Sequence, residues 1–469
     1  MAGFWQPASK LIQIHQSRIN RAVAGTPPLS ESASRSARLD VLTPLREAGQ
    51  LDQSFGDAIP EGMDARTVLA LPDGGCLLAG DSDTGGRRLI KLTADGLPDP
   101  NFSQTAPPAL IRCLALHGNG YLAGGDFTTY ANTPSSRLVR LTAQGTVDPA
   151  FQPSNLTSNV RTLAVQRIGG EDLILAGLSG SPWLRRLRAD GRVDARFASP
   201  PLTGRVSAIV VQPDGRILLG GRFFTDNLWP YQGIARLRSD GNPDTSGPAA
   251  FNPITISPAG AEVLALALQP NGRIVLGGSF NAVGGENRFY LARLLNNGAL
   301  DSLFRPVANA GPVSSLAVEP EGTLLVGGDF SRLDGANFRS LARLTPAGLA
   351  DPAWAGCGFD NKVNAVVRSG TAIFAAGAFT QPHHGVVKLL ANPAPAAPSA
   401  DPTPAAPLTR SGIEGLPLLL TAPITSDGST TYTWNRAGFA PVLTTTPELF
   451  LPAASPAHGV SKPPITPAN

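Results

Sequence analysis

The chain has 469 residues, enough for two or three domains, and only 16% of them are charged, against about 25% in an average soluble domain. Its formal net charge is +3 with acidic and basic residues interspersed, which excludes a nucleic-acid-binding face and any other partner held by bulk charge. With 51 glycines and 44 prolines, the composition favours an all-β, turn-rich protein that works outside the cytoplasm.

Residues 1–38 precede the repeats described below. Residues 10–19 have the spacing of a short helix, but polar residues interrupt it too often for a signal peptide or a membrane span. We expect an extension that is poorly structured apart from that helix. Neither a targeting segment nor a membrane span is visible in it.

From residue 39 to residue 392, one unit recurs with a period of about fifty residues. Six copies end in an Asp-x-x-aromatic segment, and a looser copy with four extra residues runs from Asp244 to Phe251. The seven aromatic residues are Phe55, Phe102, Phe151, Phe197, Phe251, Phe304 and Trp354. Three apolar runs precede this segment, with Asp-Gly or Asn-Gly turns between many of them. Such turns predict tight hairpins, so each unit predicts four short antiparallel strands. Seven units of this kind predict an all-β chain that folds as a seven-bladed β-propeller.

A basic residue on the third run stands eight positions before the Asp of the fourth in every complete unit. The pairs are Lys91 with Asp99, Arg140 with Asp148, Arg186 with Asp194, Arg236 with Asp244, Arg293 with Asp301, and Arg343 with Asp351. Because a turn lies midway, the two residues of each pair should be cross-strand neighbours. We expect structural ion pairs that fix the register of the blades.

Two residues are left over at the ends of the repeat region. Lys388 has Ala396 eight positions later, in a Pro-rich run that cannot supply ladder N–H groups, and Asp52 has Pro44 eight positions earlier. Lys388 lacks an Asp partner and Asp52 lacks a basic partner, so the two can form the seventh pair. We therefore expect the N-terminal segment 51–55 to close the seventh blade.

The GG-x-F, LARL and LDxxF motifs, seen together at residues 277–304, resemble the bacterial delta-60 repeat. The resemblance covers about residues 50–392. It implies a β-propeller of largely unknown function within a large secreted or surface protein, and hence an extracellular or cell-surface location. With such a family, the lack of a visible targeting segment suggests a chain truncated or mis-started at its N-terminus.

After the repeats, residues 393–407 form a Pro/Ala-rich linker. In residues 408–469, strands are expected at 416–421, 431–434 and 448–452, with Trp434 as a core tryptophan. This order is similar to the first half of a bacterial immunoglobulin-like domain. The later strands are missing and residues 453–469 are Pro- and Ala-rich, so we expect an incomplete immunoglobulin-like β-sandwich and a disordered tail.

No sequence pattern for catalysis, cofactor binding or metal binding is present, and none of these is expected. Two functions remain. The first is a non-enzymatic binding or adhesion scaffold, expected to be a monomeric domain, that presents a polysaccharide or protein site at the propeller rim. The alternative is a propeller-type glycoside hydrolase or lyase with its site at the central channel mouth. The second positions of the innermost strands should line that mouth, and none of the seven is acidic, which favours binding.

Three of those second positions are Arg66, Arg112 and Arg161, in successive blades. They should form a basic arc beside the mouth, suited to carboxylate or sulfate groups, unless each pairs with a loop acid such as Asp64. The variable loops between the second and third strands also carry candidate binding aromatics for sugars or peptides: Tyr130, Trp183, Trp229, Tyr231 and Tyr290. Alternatively, Trp183 and Tyr290 fill gaps between blades.

Overall fold

The computed structural model describes residues 48–391 apart from residues 56–58, 60–61, 83–85, 104–105, 155, 226–230, 247–249, 307, 310, 355 and 357, together with four short C-terminal strands. All regular elements of the described residues are β-strands. The described residues contain no helix that could span a membrane. The predicted N-terminal helix, the linker 393–407 and the tail 453–469 lie outside the described residues.

Within residues 63–390 the described strands include seven three-stranded antiparallel sheets, here numbered blades 1 to 7. Their strands are, in order: Met63–Ala70, Cys76–Ser82 and Arg87–Leu92; Ile111–His117, Gly120–Gly125 and Leu138–Leu141; Val160–Ile168, Glu171–Leu178 and Leu184–Leu187; Thr203–Val211, Ile217–Phe224 and Gln232–Leu237; Val263–Leu268, Ile274–Gly278 and Leu291–Leu294; Val313–Val318, Leu324–Gly328 and Leu341–Leu344; Val363–Ser369, Ala372–Gly377 and Val386–Leu390.

The seven blades form a closed ring. The first strand of each blade contacts the first strand of the next, and that of blade 7 contacts that of blade 1, so the first strands surround the central channel. The second strands are buried on both faces, as Ile274–Gly278 illustrates. Glycine permits this packing, because a Cβ at Gly277 of that strand would lie 2.5 Å from Val313 of the next blade. This arrangement is a β-propeller.

The fourth segment of each blade differs from the predicted strand. It joins the third strand through a single bridge, such as Leu294 with Leu300, in each described case. The ladder stops there because the Asp that follows turns the chain: the carboxylate of Asp148 accepts the N–H of Ala150 at 2.9 Å, and the carboxylates of Asp99 and Asp351 do the same two residues on. Each blade is thus three strands and an outer turn.

The predicted ion pairs between the third strand and the fourth segment are confirmed in all six units. Their N–O distances run from 2.7 Å, between Arg236 and Asp244, to 3.3 Å, between Arg343 and Asp351. Four of these cations, Arg140, Arg186, Arg236 and Arg293, also donate to a residue of the next blade, which the spacing did not predict. Arg186 donates to the carbonyl of Ser239 in blade 4 and lies 4.6 Å from the ring centroid of Phe197.

The N-terminal segment closes blade 7 as predicted. Asp52 lies 3.3 Å from Lys388, and Leu51 bridges Leu389. The N–H of Gly49 donates to the carbonyl of Leu390 at 2.8 Å, which is the bond that a turn glycine makes in the unbroken blades. Phe55 is buried and meets Phe374 edge-on at 5.8 Å. The chain therefore begins and ends its ring in one hairpin that is cut at the turn.

A second contact between blades lies at the last positions of the first strands, on the bottom face. We define the bottom face by the turns between first and second strands, and the top face by the starts of the first strands. Gln166 accepts from Arg186 of its own blade at 3.0 Å and donates to the carbonyl of Gly215 in the next blade at 2.8 Å. Gln269 makes the same two bonds, to Arg293 and Gly322. We call this arrangement the glutamine bridge.

His117 takes the position of that glutamine in blade 2. It is 7% exposed, and among the described residues its ring nitrogens make no hydrogen bond of good geometry, although the backbone of Asp172 lies close enough for a weak polar contact. Burial lowers the pKa of His117, the charge of Arg140 lowers it further, and Asp172 opposes the shift. The folded protein therefore binds a proton at His117 less readily than the unfolded chain.

We expect His117→Leu to remove a pH-dependent loss of stability. With a depressed folded-state pKa, the wild type should lose stability as the pH falls through about 6.5, the unfolded value, whereas leucine, which blade 1 carries here as buried Leu71, should not titrate. The variant should be more stable by about 1 kcal/mol at neutral pH, because buried nitrogens without a hydrogen bond of good geometry are removed. Urea titrations from pH 8 to pH 5 measure both effects, and parallel pH profiles for the two proteins would contradict this role of His117.

The remaining strands are short. Thr129–Tyr130 pairs with Thr133–Pro134, Ile256–Ser257 and Glu286–Asn287 flank Ala282–Val283, and Ala308–Asn309 pairs with Arg332–Leu333, all in loops between blades or strands. In the C-terminal region Leu418–Thr421 pairs with Glu448–Leu451, and Tyr432–Trp434 pairs with Val442–Thr444. These are two antiparallel pairs.

Candidate binding site at the channel mouth

The side chains that line the top mouth of the channel are placed by a β-bulge that recurs in all seven blades. In each first strand the pairing register shifts at one residue, and the seven bulged residues are Arg66, Arg112, Arg161, Ser207, Leu264, Ser314 and Asn364. These are the second positions singled out from the sequence. The extra residue of a bulge re-aims its side chain, so the three arginines hold equivalent places around the mouth.

Two of the three arginines are already paired. Arg112 donates twice to Asp126, with both distances 2.7 Å, and Arg66 lies 2.9 Å from Asp64. Asp64 also accepts from Asn364 of blade 7, at 2.7 Å. The predicted arc of open guanidinium forks is therefore wrong for Arg66 and Arg112, because neighbouring acids occupy them. The alternative reading, pairing with loop acids such as Asp64, describes both.

A buried acid at the mouth, Glu262, immediately precedes the first strand of blade 5. It is 6% exposed and accepts hydrogen bonds from Arg205 and Ser207 of blade 4. Its carboxylate also lies 3.8 Å from Arg161 of blade 3. A side chain that meets two other blades, one of them not adjacent, must point toward the channel axis.

Burial opposes ionisation of Glu262, but hydrogen bonds from Arg205 and Ser207 and the charges of Arg205 and Arg161 outweigh it. The pKa of Glu262 is therefore held below its usual range. Glu262 is an anion at neutral pH, fixed by its neighbours.

Arg161 differs from the other two bulge arginines. Its nearest carboxylate oxygen, 3.8 Å away, is beyond hydrogen-bond distance and belongs to Glu262, which Arg205 already holds in a bidentate pair. Its Nε is buried without a hydrogen-bond partner among the described residues, while 25% of its side chain is exposed. Burial lowers the pKa of Arg161, and the charges of Arg205 and Arg112 add to this against the opposing charge of Glu262.

We call Arg112, Arg161, Arg205, Asp126 and Glu262 the mouth cluster. It carries three cations and two carboxylates, so one positive charge is left over, and the pairing above assigns that charge to Arg161. The cluster can thus accept one anionic group without losing an existing pair.

The loop aromatics lie in three kinds of place. Tyr130 is 1% exposed and packs edge-on against Phe127, and Tyr231 is 2% exposed and donates its hydroxyl to the carbonyl of Phe251. Their predicted exposure at the rim is wrong, because both rings turn into the blade cores. Trp183 and Tyr290 are partly buried and pack against hydrophobic clusters that span neighbouring blades. Trp229 lies outside the described residues.

Sequence reasoning missed Arg205, Glu262 and Asp126. Glu262 and Arg205 stand two residues before the bulge positions of their strands, and only the bulge positions were expected to line the mouth. At that earlier position the seven units read Asp64, Leu110, Asn159, Arg205, Glu262, Pro312 and Lys362. Aligning the repeats from two residues earlier would therefore have identified Arg205 and Glu262 as charged residues near the mouth.

Two other chemical groups are accounted for. Cys76 and Cys113 are free and buried, and burial raises the pKa of both thiols, that of Cys113 to about 12. Such thiols are unreactive. Within the part of the chain that the structure describes, no three His, Cys, Asp or Glu side chains are grouped as metal ligands.

Four segments, residues 120–151, 212–246, 269–304 and 319–353, match the model of a family described as "Domain of unknown function (DUF5122) beta-propeller". Each match runs through the second and third strands of one blade to the Asp of the fourth segment. The chain therefore contains a β-propeller domain of unknown function. No curated protein matches the sequence.

Solved structures with a similar chain path have low sequence identity. The extracellular domain of BT4673 from B. thetaiotaomicron matches with 17% identity and a TM-score of 0.45, over 72% of this chain and 40% of that one. YCF48 bound to D1 peptide matches with 15% identity and a TM-score of 0.42, over 75% of this chain and 100% of that one. A protein of unknown function from Bacteroides caccae matches with 16% identity and a TM-score of 0.32, over 52% of this chain and 82% of that one.

Proposed function

We propose that the chain is a non-enzymatic binding scaffold of a secreted or cell-surface bacterial protein. In this proposal a seven-bladed propeller presents the top mouth of its channel to a polysaccharide or protein that carries carboxylate groups. The observation that carries the proposal is Arg161, a partly exposed guanidinium whose nearest acid is already held by Arg205.

A carboxylate is the group that Arg161 recognises best. The guanidinium offers parallel N–H donors that match the two oxygens of a carboxylate, and such charge-assisted bonds are about twice as strong as neutral ones. The channel mouth is a concave, low-dielectric setting in which a single surplus charge is focused. Arg112 and Arg205 hold the surrounding acids in place, so the ligand meets a site that is already ordered.

The alternative, a glycoside hydrolase or lyase at this mouth, has weaker support. A glycosidase needs one carboxyl group with a raised pKa to protonate the leaving group. The pKa of Glu262 is held low instead, and Asp126 is engaged in a bidentate pair with Arg112. These assignments leave the mouth cluster without a proton donor, so we favour binding.

Replacing Arg161 by Gln should weaken the binding of a polycarboxylate at least about tenfold, the loss of one charge-assisted contact. The probes are polygalacturonate, an acidic polysaccharide, and poly-L-glutamate, an acidic polypeptide. Calorimetric titration at low ionic strength measures the dissociation constant, and the probe that binds more tightly distinguishes the two ligand sources.

Arg66→Gln is the matched control. It removes the same side chain from the same bulge position two blades away, but that guanidinium is paired with Asp64. Its affinity for either probe should stay within about twofold of the wild type, a loss typical of distant charges. If neither polymer binds the wild type, or if Arg161→Gln binds as well as Arg66→Gln, the proposal is wrong.

We further propose that residues 393–407 act as a spacer and residues 408–469 as an incomplete immunoglobulin-like module. The two antiparallel pairs, Leu418–Thr421 with Glu448–Leu451 and Tyr432–Trp434 with Val442–Thr444, support a small β-structure beyond the linker. We also propose that the repeats are delta-60 repeats and that the protein is located outside the cell or on its surface.

A further inference from the structure

The bottom face carries a pocket of about 550 Å³. It lies at the other end of the first strands from the mouth cluster. Its volume lies within the range of about 300–1,000 Å³ that is usual for small-molecule sites. Turns of blades 4 to 7 form its walls, including Gln212, Asp214, Asn296 and Arg368.

The pocket lies where the glutamine bridge is broken. Gln212 has the position in blade 4 that Gln166 and Gln269 have in blades 3 and 5. Its Oε1 is buried and has no hydrogen-bond partner among the described residues, and Gln212 as a whole is 6% exposed. A buried, unpaired amide oxygen destabilises the fold, and the amide oxygens of Gln166 and Gln269 do not carry this cost because each accepts a hydrogen bond.

Asn296 is the cause of the break. In blades 3 and 5 the third-strand arginine gives its second N–H group to the glutamine of its own blade. In blade 4, Arg236 instead donates to both the carbonyl and the side-chain oxygen of Asn296, at 2.5 and 3.1 Å. The turns of blades 4 and 6 carry Ser239 and Pro346 at the matching place, and neither of these offers an amide oxygen. Asn296 therefore displaces Gln212 as the acceptor.

The charged groups around the pocket compensate one another. Asp214 forms an ion pair with Arg216, and Glu319 lies 2.7 Å from Arg343 and 3.3 Å from Arg368. Arg343 also lies 3.3 Å from Asp351, so each of these cations has a carboxylate neighbour, while burial raises the pKa of Glu319. The uncharged lining groups include the amide of Gln212 and the rings of Pro213, Pro270 and Pro320.

We propose that this pocket binds a neutral oligosaccharide, with the side-chain amide of Gln212 as its central polar contact. An amide presents a donor and an acceptor side by side, which matches two adjacent sugar hydroxyls. Rotation of the unpaired amide brings either atom to the pocket without breaking a bond within the described residues. The proline rings offer apolar surface to the C–H faces of the sugar, and the ionised Asp214 adds a strong acceptor at the wall.

The test uses the full chain and four neutral oligosaccharides: cellohexaose, xylohexaose, laminarihexaose and maltohexaose. At least one should bind the wild type in calorimetric titration, and Gln212→Met should weaken that binding at least tenfold. Asn296→Ala should weaken it as well, because Arg236 can then pair with Gln212 and restore the bridge. Neither substitution should lower the melting temperature, since each removes an unpaired group or its cause.

Gln166→Met is the matched control, because it removes the same side chain from the same position in blade 3, outside the pocket. It should lower the melting temperature by several degrees through the loss of two hydrogen bonds, and leave oligosaccharide binding unchanged. Binding of none of the four sugars, or equal binding by Gln212→Met and wild type, would overturn the proposal. Arg161→Gln should leave oligosaccharide binding unchanged, so this experiment tests the bottom pocket independently of the proposal for the channel mouth.

Discussion

Deletion of residues 1–55 should lower the free energy of unfolding by about 5 kcal/mol or more, a melting-temperature shift of about 10 °C. The deletion removes Phe55 from the core of blades 7 and 1 and takes Ala48 and Leu51 from the cluster around Trp354. It also strips Lys388 of its carboxylate and leaves the outer edge of blade 7 unpaired. Differential scanning calorimetry measures the shift.

Deletion of residues 1–46 is the control for that experiment, since it keeps every contact just named. Deletion of residues 393–469 is a second control, because it leaves all seven blades and the closing segment intact. Both controls should melt within about 2 °C of the full chain. A truncation at residue 55 that melts with them would show that ring closure contributes little to stability.

Replacement of Arg293 by Met should cost about 3–5 kcal/mol, the penalty for breaking a buried ion pair from one side. The side chains of Arg293 and Asp301 are 4% and 5% exposed. Arg293 also bonds Gln269 and the carbonyl of Pro346 in blade 6, and its guanidinium lies 4.4 Å from the centroid of Phe304. All of these contacts are lost together, and the buried carboxylate of Asp301 keeps the N–H of Leu303, at 3.2 Å, and the partly exposed Arg273, at 3.4 Å.

Arg140→Met is the matched substitution at a more exposed copy of the pair, where the side chains of Arg140 and Asp148 are 18% and 27% exposed. It should cost about 1–2 kcal/mol, because water partly replaces the partner. The double variant Arg293→Met with Asp301→Leu should regain much of the stability lost by the single one, since no uncompensated charge remains. Chemical denaturation of the three proteins decides this, and equal losses for Arg140 and Arg293 would contradict the role assigned to burial.

The sequence was sufficient to predict the parts of the fold that repeat. Six copies of an eight-residue spacing fix the pairing of the third strand with the segment after it, and the unmatched Lys388 and Asp52 fix how the ring closes. The bulge positions also emerged, because counting back from a turn of constant length identifies equivalent residues.

Contacts between blades could not be predicted in the same way. The spacing within one unit gives the partner of Arg186 in its own blade but carries no information on the carbonyl of Ser239 in the next. Loop aromatics failed for another reason. A two-residue strand such as Thr129–Tyr130 is too short to show an alternation, so nothing in its sequence separates an inward Tyr130 from an outward one. Glu262 was missed because its distinguishing property is the meeting of blades 3, 4 and 5 around one carboxylate.

The hairpin cut at its turn has a consequence for synthesis of the chain on the ribosome. Lys388 emerges 336 residues after its partner Asp52, so at about 5–20 residues per second the first-made segment waits roughly 20 to 70 seconds for its place. During that time six blades can form while the seventh does not yet exist. The newly made edge of blade 7 then accepts any 48–55 segment within reach, whether from its own chain or from a neighbour on the same messenger RNA. At high local concentration we expect the second outcome to give a strand-exchanged dimer in which residues 48–55 keep their contacts with blade 7.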